Sequence, residues 1–180
     1  MPARAAQPLT TENILLGLIA GRSMHGYDLY RELHANRGLA MVWNIKQGMV
    51  YALVDKLAGQ GYLEERLLPG EARPPRKEFS ITPAGRAAFE VWRSGPVEHP
   101  RDLRQDFLAR LYFARLAGFQ PALELLQCQK DMCAAWLAGL QAQWDQAHPE
   151  AFERWVFAFR FRGVQGMLVW VEGGAREMRV

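Results

Sequence analysis

The stretch from Lys46 to Pro83 constrains the fold more than any other part of this chain, because its apolar period changes inside it from that of a helix to that of a strand. Val50, Leu53, Val54 and Leu57 fall at i, i+3, i+4 and i+7, the spacing that buries one face of an α-helix. Gly61 stops that helix. Its other face carries Lys46, Gln47, Met49, Tyr51, Ala52, Asp55 and Lys56, several of them able to reach a phosphate or a base edge. Residues 62–68 and then Lys77-Glu78-Phe79-Ser80-Ile81 read as two antiparallel strands, joined by a stiff, proline-rich tip at 69–75. Arg73, Arg76 and Lys77 make the tip and its exit basic. Thr82-Pro83 opens another helix, threonine as cap and proline at its first position, which ends near Gly95-Pro96.

Two helices precede this stretch. Thr10 or Thr11 caps the first, whose stripe is Ile14, Leu15, Leu18 and Ile19 and whose end is Gly21. The second covers 25–36, with Leu29 and Leu33 one turn apart and Gly38 placed to terminate it. Three helices, a two-stranded wing with a basic tip and a following helix describe a winged helix-turn-helix over residues 1–96. A helix fits the major groove of DNA, and a hairpin beside it reaches the backbone or the minor groove.

The fold class is mainly α, because the remaining residues, 97–180, are helical. Pro96 and Pro100 mark a linker. A helix over 102–116 aligns Leu103, Phe107, Leu111 and Ala114; after Gly118 and Pro121 a long one runs to about residue 146. Along it Ala122, Leu126, Gln129, Cys133, Trp136, Leu140 and Gln143 alternate steps of three and four, as a coiled-coil seam does. His148-Pro149 breaks the chain, and a last helix repeats the spacing with Phe152, Val156, Phe159, Gly163, Gly166 and Trp170. Glycines there cost about 1 kcal/mol each against alanine, which points to close helix approach. So much apolar seam requires a partner, and a second copy is the economical one. Leu126, Cys133, Trp136, Leu140, Phe152, Val156, Phe159 and Trp170 are the expected dimerisation residues.

Composition excludes more than it assigns. Hydrophobic residues at 49% and charged residues at 23% indicate neither disorder nor a fibrous repeat. A net charge of +3 permits nucleic-acid binding without demanding it. Cys128 and Cys133 lie on different faces of one helix, so no disulfide framework is expected and reduced cytoplasm is the expected location. The apolar run at residues 14–20 is too short to span a bilayer. His25, His34, His99 and His148 are scattered without metal-ligand spacing, and there is no nucleophile elbow, phosphate loop or zinc-protease motif. No metal, cofactor or catalytic machinery is expected.

At this point the residues resemble the PadR family of bacterial transcriptional regulators. The carrying motifs are Leu15-Leu16-Gly17-Leu18, His25-Gly26-Tyr27-Asp28-Leu29, Gly48-Met49-Val50-Tyr51 with Leu57 and Gly61, and the run from Arg73-Pro74-Pro75-Arg76-Lys77 through Glu78-Phe79-Ser80-Ile81 to Thr82-Pro83-Ala84-Gly85-Arg86. Arg101-Asp102-Leu103-Arg104-Gln105-Asp106-Phe107-Leu108 is similar to the start of the arm in longer-armed members. The resemblance implies a homodimer on double-stranded DNA carrying an inverted repeat, usually repressing, and released by a small aromatic or amphiphilic effector. It implies that Gly48 starts the recognition helix, that Tyr51 faces the DNA backbone, and that Arg73, Arg76 and Lys77 form the basic wing. Lys46 stands where the family often has serine, and Asp55 where a basic residue is common.

Each of these residues also has a plainer reading. Tyr51 can be a half-buried tyrosine against the wing, and Lys46, Gln47 and Lys56 an ordinary solvated face. His25 and Gly26 read as fold determinants. The tryptophans of the arm read first as core and seam, while Trp92 with Phe107 and Tyr112 offers a flat apolar pocket for an aromatic effector. A rival reading of the whole chain is a dimeric small-molecule-binding or scaffold protein that keeps the winged fold without reading DNA.

Overall fold

The structure, a computed structural model, describes residues 9–69, 76–146 and 150–177. These form two compact units, with the division between Arg93 and Ser94.

The first unit begins with α1 (Thr10–Gly21). Its cap is Leu9, not Thr10 or Thr11, and the Glu12 carboxylate accepts the Leu9 N–H at 2.7 Å. A carboxylate reaching back from the third helical position thus accepts from the N–H of the capping residue itself and fixes the start of the helix there. Ile14, Leu15, Leu16 and Ile19 are buried, so Leu16 takes the place expected for Leu18 and the helix is enclosed on more than one face.

Next come β1 (Met24–His25), α2 (Gly26–Ala35), the single turn α3 (Arg37–Ala40) and α4 (Gln47–Gly59). Gly38 was expected to end α2 but lies inside α3: Asn36 leaves helical geometry, and its Oδ1 accepts the Leu39 N–H at 3.1 Å, capping a new turn. Leu29, Leu33, Leu39, Val50, Val54 and Leu57 are buried. Gly61, at φ +79°, closes α4: its N–H donates to the Ala58 carbonyl and that of Tyr62 to the Leu57 carbonyl, a Schellman pair available to glycine at little cost.

The wing is β2 (Leu63–Leu68) against β3 (Arg76–Ile81), with Leu63 opposite Ile81 and Leu68 opposite Arg76. The sheet has three strands, not two, in the order β1-β3-β2, because Met24 and His25 pair with Phe79 and Glu78. The helix-turn-helix is thereby tied to the wing by main-chain bonds. Thr82 caps α5 (Pro83–Ser94) by accepting the Gly85 N–H at 3.0 Å, as its position predicts.

The second unit holds a 3-10 turn (Pro100–Arg104), α6 (Asp106–Ala117), α7 (Phe119–Gln146) and α8 (Ala151–Glu177). The helix expected over 102–116 is split at Gln105, which departs from helical geometry. Pro121 does not delay α7, since a proline in the first turn removes an N–H that has no helical partner. At 28 residues α7 is about 42 Å long. Along it Leu126, Cys133 and Leu140 join Val164 and Val171 of α8 in one apolar core, with Phe157, Phe161 and Leu168 packed against it. The Lys130–Glu172 ion pair, at 3.2 Å, links the same two helices. Gln129 is fully buried, its Oε1 accepting the Val97 N–H at 2.8 Å.

Candidate nucleic-acid interface

Two elements of the first unit carry the residues expected to meet DNA, α4 and the wing with its exit, and the turn into α2, read as a fold determinant, packs against both. Helix α4 buries Val50, Val54 and Leu57 completely, and that fixes which face is left. Lys46, Gln47, Gly48, Met49, Tyr51, Ala52, Asp55 and Lys56 are exposed. Lys46 is the N-cap and the first turn has no acidic residue, so the helix sets no negative charge of its own against its positive end. A side chain built on Gly48 would meet nothing within 4 Å, leaving this backbone open to close approach. Such a helix end, with free N–H groups and a cation, suits an anionic oxygen.

Tyr51 is 40% exposed, and its ring lies on Gly26, where an added Cβ would come within 2.6 Å of Cε1. Gly26 begins α2, so the motif His25-Gly26-Tyr27 is the seat of the Tyr51 ring. His25 contributes from the other side: its Nδ1 lies 2.9 Å from the Lys77 carbonyl oxygen, and since a carbonyl only accepts, the ring carries its proton there. An open cleft of about 520 Å³ results, with Tyr27, Asp28, Tyr51, Asp55, Arg76 and Lys77 around it.

The cations are not equivalent. Arg76 and Lys46 are exposed with no ion pair to any described residue. Lys56 bonds Glu12 at 2.6 Å, and the Glu12 side chain is only 2% exposed, so this lysine fastens α4 to α1. Lys77 lies 3.1 Å from Asp55 and 2.9 Å from Glu65. These bonds, to Glu65 first and Asp55 second, hold its ammonium above the ordinary lysine pKa of 10.5. Arg73 lies outside the described residues.

The glutamate partners of these two lysines were not foreseen. Glu12 is 44 residues from Lys56, a separation no local pattern bridges. Glu65 faces Phe79 across the sheet and therefore sits diagonal to Lys77, which the strand register shows once it is known.

The residues expected to bind an effector divide between the units. Trp92 belongs to the first, its ring 6.0 Å from that of Phe89. Phe107 and Tyr112 belong to the second: Phe107 is fully buried and edge-on to Trp170, and Tyr112 stands edge-on to Phe113. The expected dimer residues also divide. Leu126, Cys133 and Leu140 are covered within one chain, with Trp136 packed beside them and donating from Nε1 to the Glu98 carbonyl at 3.1 Å. Phe152, Val156, Phe159 and Trp170 are exposed on the opposite side of α8, joined there by Trp155; Phe152, Trp155 and Phe159 are about 80% accessible. Among the described residues no group of His, Cys, Asp and Glu could hold a metal ion, and no helix is long and apolar enough to cross a membrane.

Comparison with known proteins agrees with this head. Residues 15–91 match the transcriptional regulator PadR-like family. The chain is similar to the negative transcriptional regulator PadR of Bacillus subtilis (strain 168), 24% identical over 144 residues that cover 77% of each protein. Among solved structures it resembles Bacillus subtilis PadR in complex with operator DNA, at TM-score 0.48 and 19% identity over 94% of this chain and 99% of that one. It also resembles the PadR-like regulator BC1756 from Bacillus cereus, at TM-score 0.43 and 20% identity over 98% and 99%. The buried face of α4, the glycine under Tyr51 and the three-stranded wing all lie within residues 15–91, so it is this head segment that is PadR-like.

Proposed function

We propose that this chain is a homodimeric repressor that lays α4 into the major groove of each half of an inverted repeat. The observation that carries the reading is the cationic N-terminus of α4, with no acidic residue in its first turn, on a helix whose free face shares an open cleft with Arg76 of the wing through Tyr51 and Asp55. Lys46, Gln47, Met49 and Tyr51 are assigned to DNA, with Arg73 and Arg76 on the backbone. Lys56 and Lys77 were expected to join them but are engaged by carboxylates. Repression is supported by the name of the Bacillus subtilis relative.

Pairing is assigned to the outer face of α8, where Phe152, Trp155, Val156 and Phe159 form an apolar surface of the kind that marks association. Phe159→Asp should yield a folded monomer in analytical ultracentrifugation, whereas Leu140→Asp should unfold the arm. A Phe159→Asp chain that remains a dimer refutes this assignment. A small aromatic effector would fit the cleft of about 610 Å³ floored by Trp136, Leu140 and Val164 and rimmed by Arg101, Arg104 and Arg160; since Phe159 also lines it, an occupant would touch the pairing face.

The decisive experiment is a gel shift on DNA from upstream of the chain's own gene, across a salt series. Palindrome-dependent binding that weakens steeply with salt is expected, and Arg76→Glu should abolish it. Its absence would favour the second reading, a winged dimer that does not read DNA, which the neutralised Lys56 and Lys77 support.

A further inference from the structure

One cation of the wing is spent before DNA arrives. Lys77 lies between carboxylates from two different elements, Asp55 on α4 and Glu65 on β2, with Nζ 3.1 and 2.9 Å from their oxygens. Its main-chain carbonyl accepts the proton of His25 Nδ1 at the entrance to α2. One residue therefore holds the recognition helix by its side chain and the turn before α2 by its backbone. From the structure we infer that Lys77 is a positioning residue, not a phosphate ligand: it bridges α4 to the wing and cancels two carboxylates that would otherwise face DNA. The inference rests on the DNA-binding reading above.

The physical argument is a comparison of charges. For Nζ to reach a phosphate it must leave Asp55 and Glu65, exchanging two attractions for one and exposing two negative charges beside a polyanion. Arg76 and Lys46 have no such tie to any described residue. His25, Asp28 and Arg76 also line the cleft. Asp28 joins Asp55 as a second carboxylate there, so releasing Lys77 would leave Arg76 as the one guanidinium among the lining residues against two acids. The exposed pairs are individually weak, so the bridge acts by geometry and charge cancellation more than by stabilising the fold.

Salt dependence separates a bridge from a contact. Binding to a mixed-sequence duplex of roughly 40 base pairs would be measured by fluorescence anisotropy over a salt series for the parent, Lys77→Met, Arg76→Met and the triple variant Lys77→Met/Asp55→Asn/Glu65→Gln. Removing a true phosphate contact lowers the log–log slope by about 0.9 per subunit, which is the result expected for Arg76→Met. For Lys77→Met the expected result is an affinity about tenfold lower with the slope unchanged, and recovery to within about threefold of the parent in the triple variant. A Lys77→Met slope that falls like that of Arg76→Met, or a triple variant as weak as Lys77→Met, overturns the inference.

A measurement without DNA keeps the two readings apart. If the parent binds no duplex, the DNA-binding reading fails and the bridge is judged from the NMR titration of the Lys77 side chain. A titration midpoint that drops in Asp55→Asn/Glu65→Gln supports the bridge, and an unmoved one refutes it.

Discussion

Replacing Gly85 by alanine would place a methyl carbon 2.1 Å from the main-chain oxygen of Tyr62 and 3.0 Å from Cγ1 of Ile81. Ordinary contact begins at 3.4 Å, so the first of these requires a movement of about 1.3 Å. The Tyr62 carbonyl cannot easily yield, since it accepts the Thr82 N–H at 3.1 Å, next to the Thr82 hydroxyl, whose one proton goes to the Gly61 carbonyl at 2.7 Å. If α5 lifts instead, the Thr82 cap on the Gly85 N–H is lost. One hydrogen bond at about 1 kcal/mol, lost by either route, with about 1–3 kcal/mol of overpacking strain, gives a cost of about 2–4 kcal/mol. That is a large part of a small domain's stability and corresponds to a fall in Tm of about 10 °C or more for the head. Gly59→Ala is the control, because nothing lies within 4 Å of its Cβ position and alanine favours the helix. Thermal unfolding followed by circular dichroism should show the two glycine-to-alanine changes moving in opposite directions. A Gly85→Ala head that melts within about 3 °C of the parent would refute the reasoning.

Gly26→Ala should displace the Tyr51 ring at a stability cost of about 1 kcal/mol, because the clash is with the end of a side chain; DNA affinity should drop about tenfold with the fold intact, as read by anisotropy and circular dichroism. Glu12→Ala removes both the acceptor of the Leu9 N–H and the partner of Lys56. Discounted for the half-exposed lysine, the loss should be about 2 kcal/mol in urea unfolding, and Glu12→Gln, which keeps an acceptor, should lose less. In thiol labelling the exposed Cys128 should react promptly and the buried Cys133 slowly, since burial both shields the Cys133 thiol and holds it above its ordinary pKa; raising the pH should therefore speed its labelling. Equal rates at pH 8 would contradict the packing of the arm.

What could be read along the chain was whatever repeats with a local period. Val50, Val54 and Leu57 declare the buried face of α4, and the alternation around Phe79 declares the wing. The extra turn α3 and the strand β1 escaped, because a single turn and a two-residue strand are shorter than any period. The glutamate partners of Lys56 and Lys77 escaped for a different reason: an ion pair is made by two elements, and neither element's own pattern names the other. The arm shows the same limit from the apolar side. The spacing of Leu126, Cys133 and Leu140 identifies a face to be covered, yet periodicity says nothing of whether the cover is α8 of the same chain or a second copy.

The two-sided character of α8 has a consequence for how the molecule comes together. Its inner side chains Phe157, Phe161, Val164 and Val171 complete the arm's core within one chain, while Phe152, Trp155 and Phe159 are left over. On the proposed pairing through this face, folding is a first-order event and pairing a second-order one that follows it. Subunits would then trade partners without unfolding, and the fraction of heads joined in pairs would rise with the cellular concentration of the chain. If the paired form is the one that grips two half-sites, the amount of protein becomes a signal in its own right, and a chain that represses its own gene would sense its abundance through this helix.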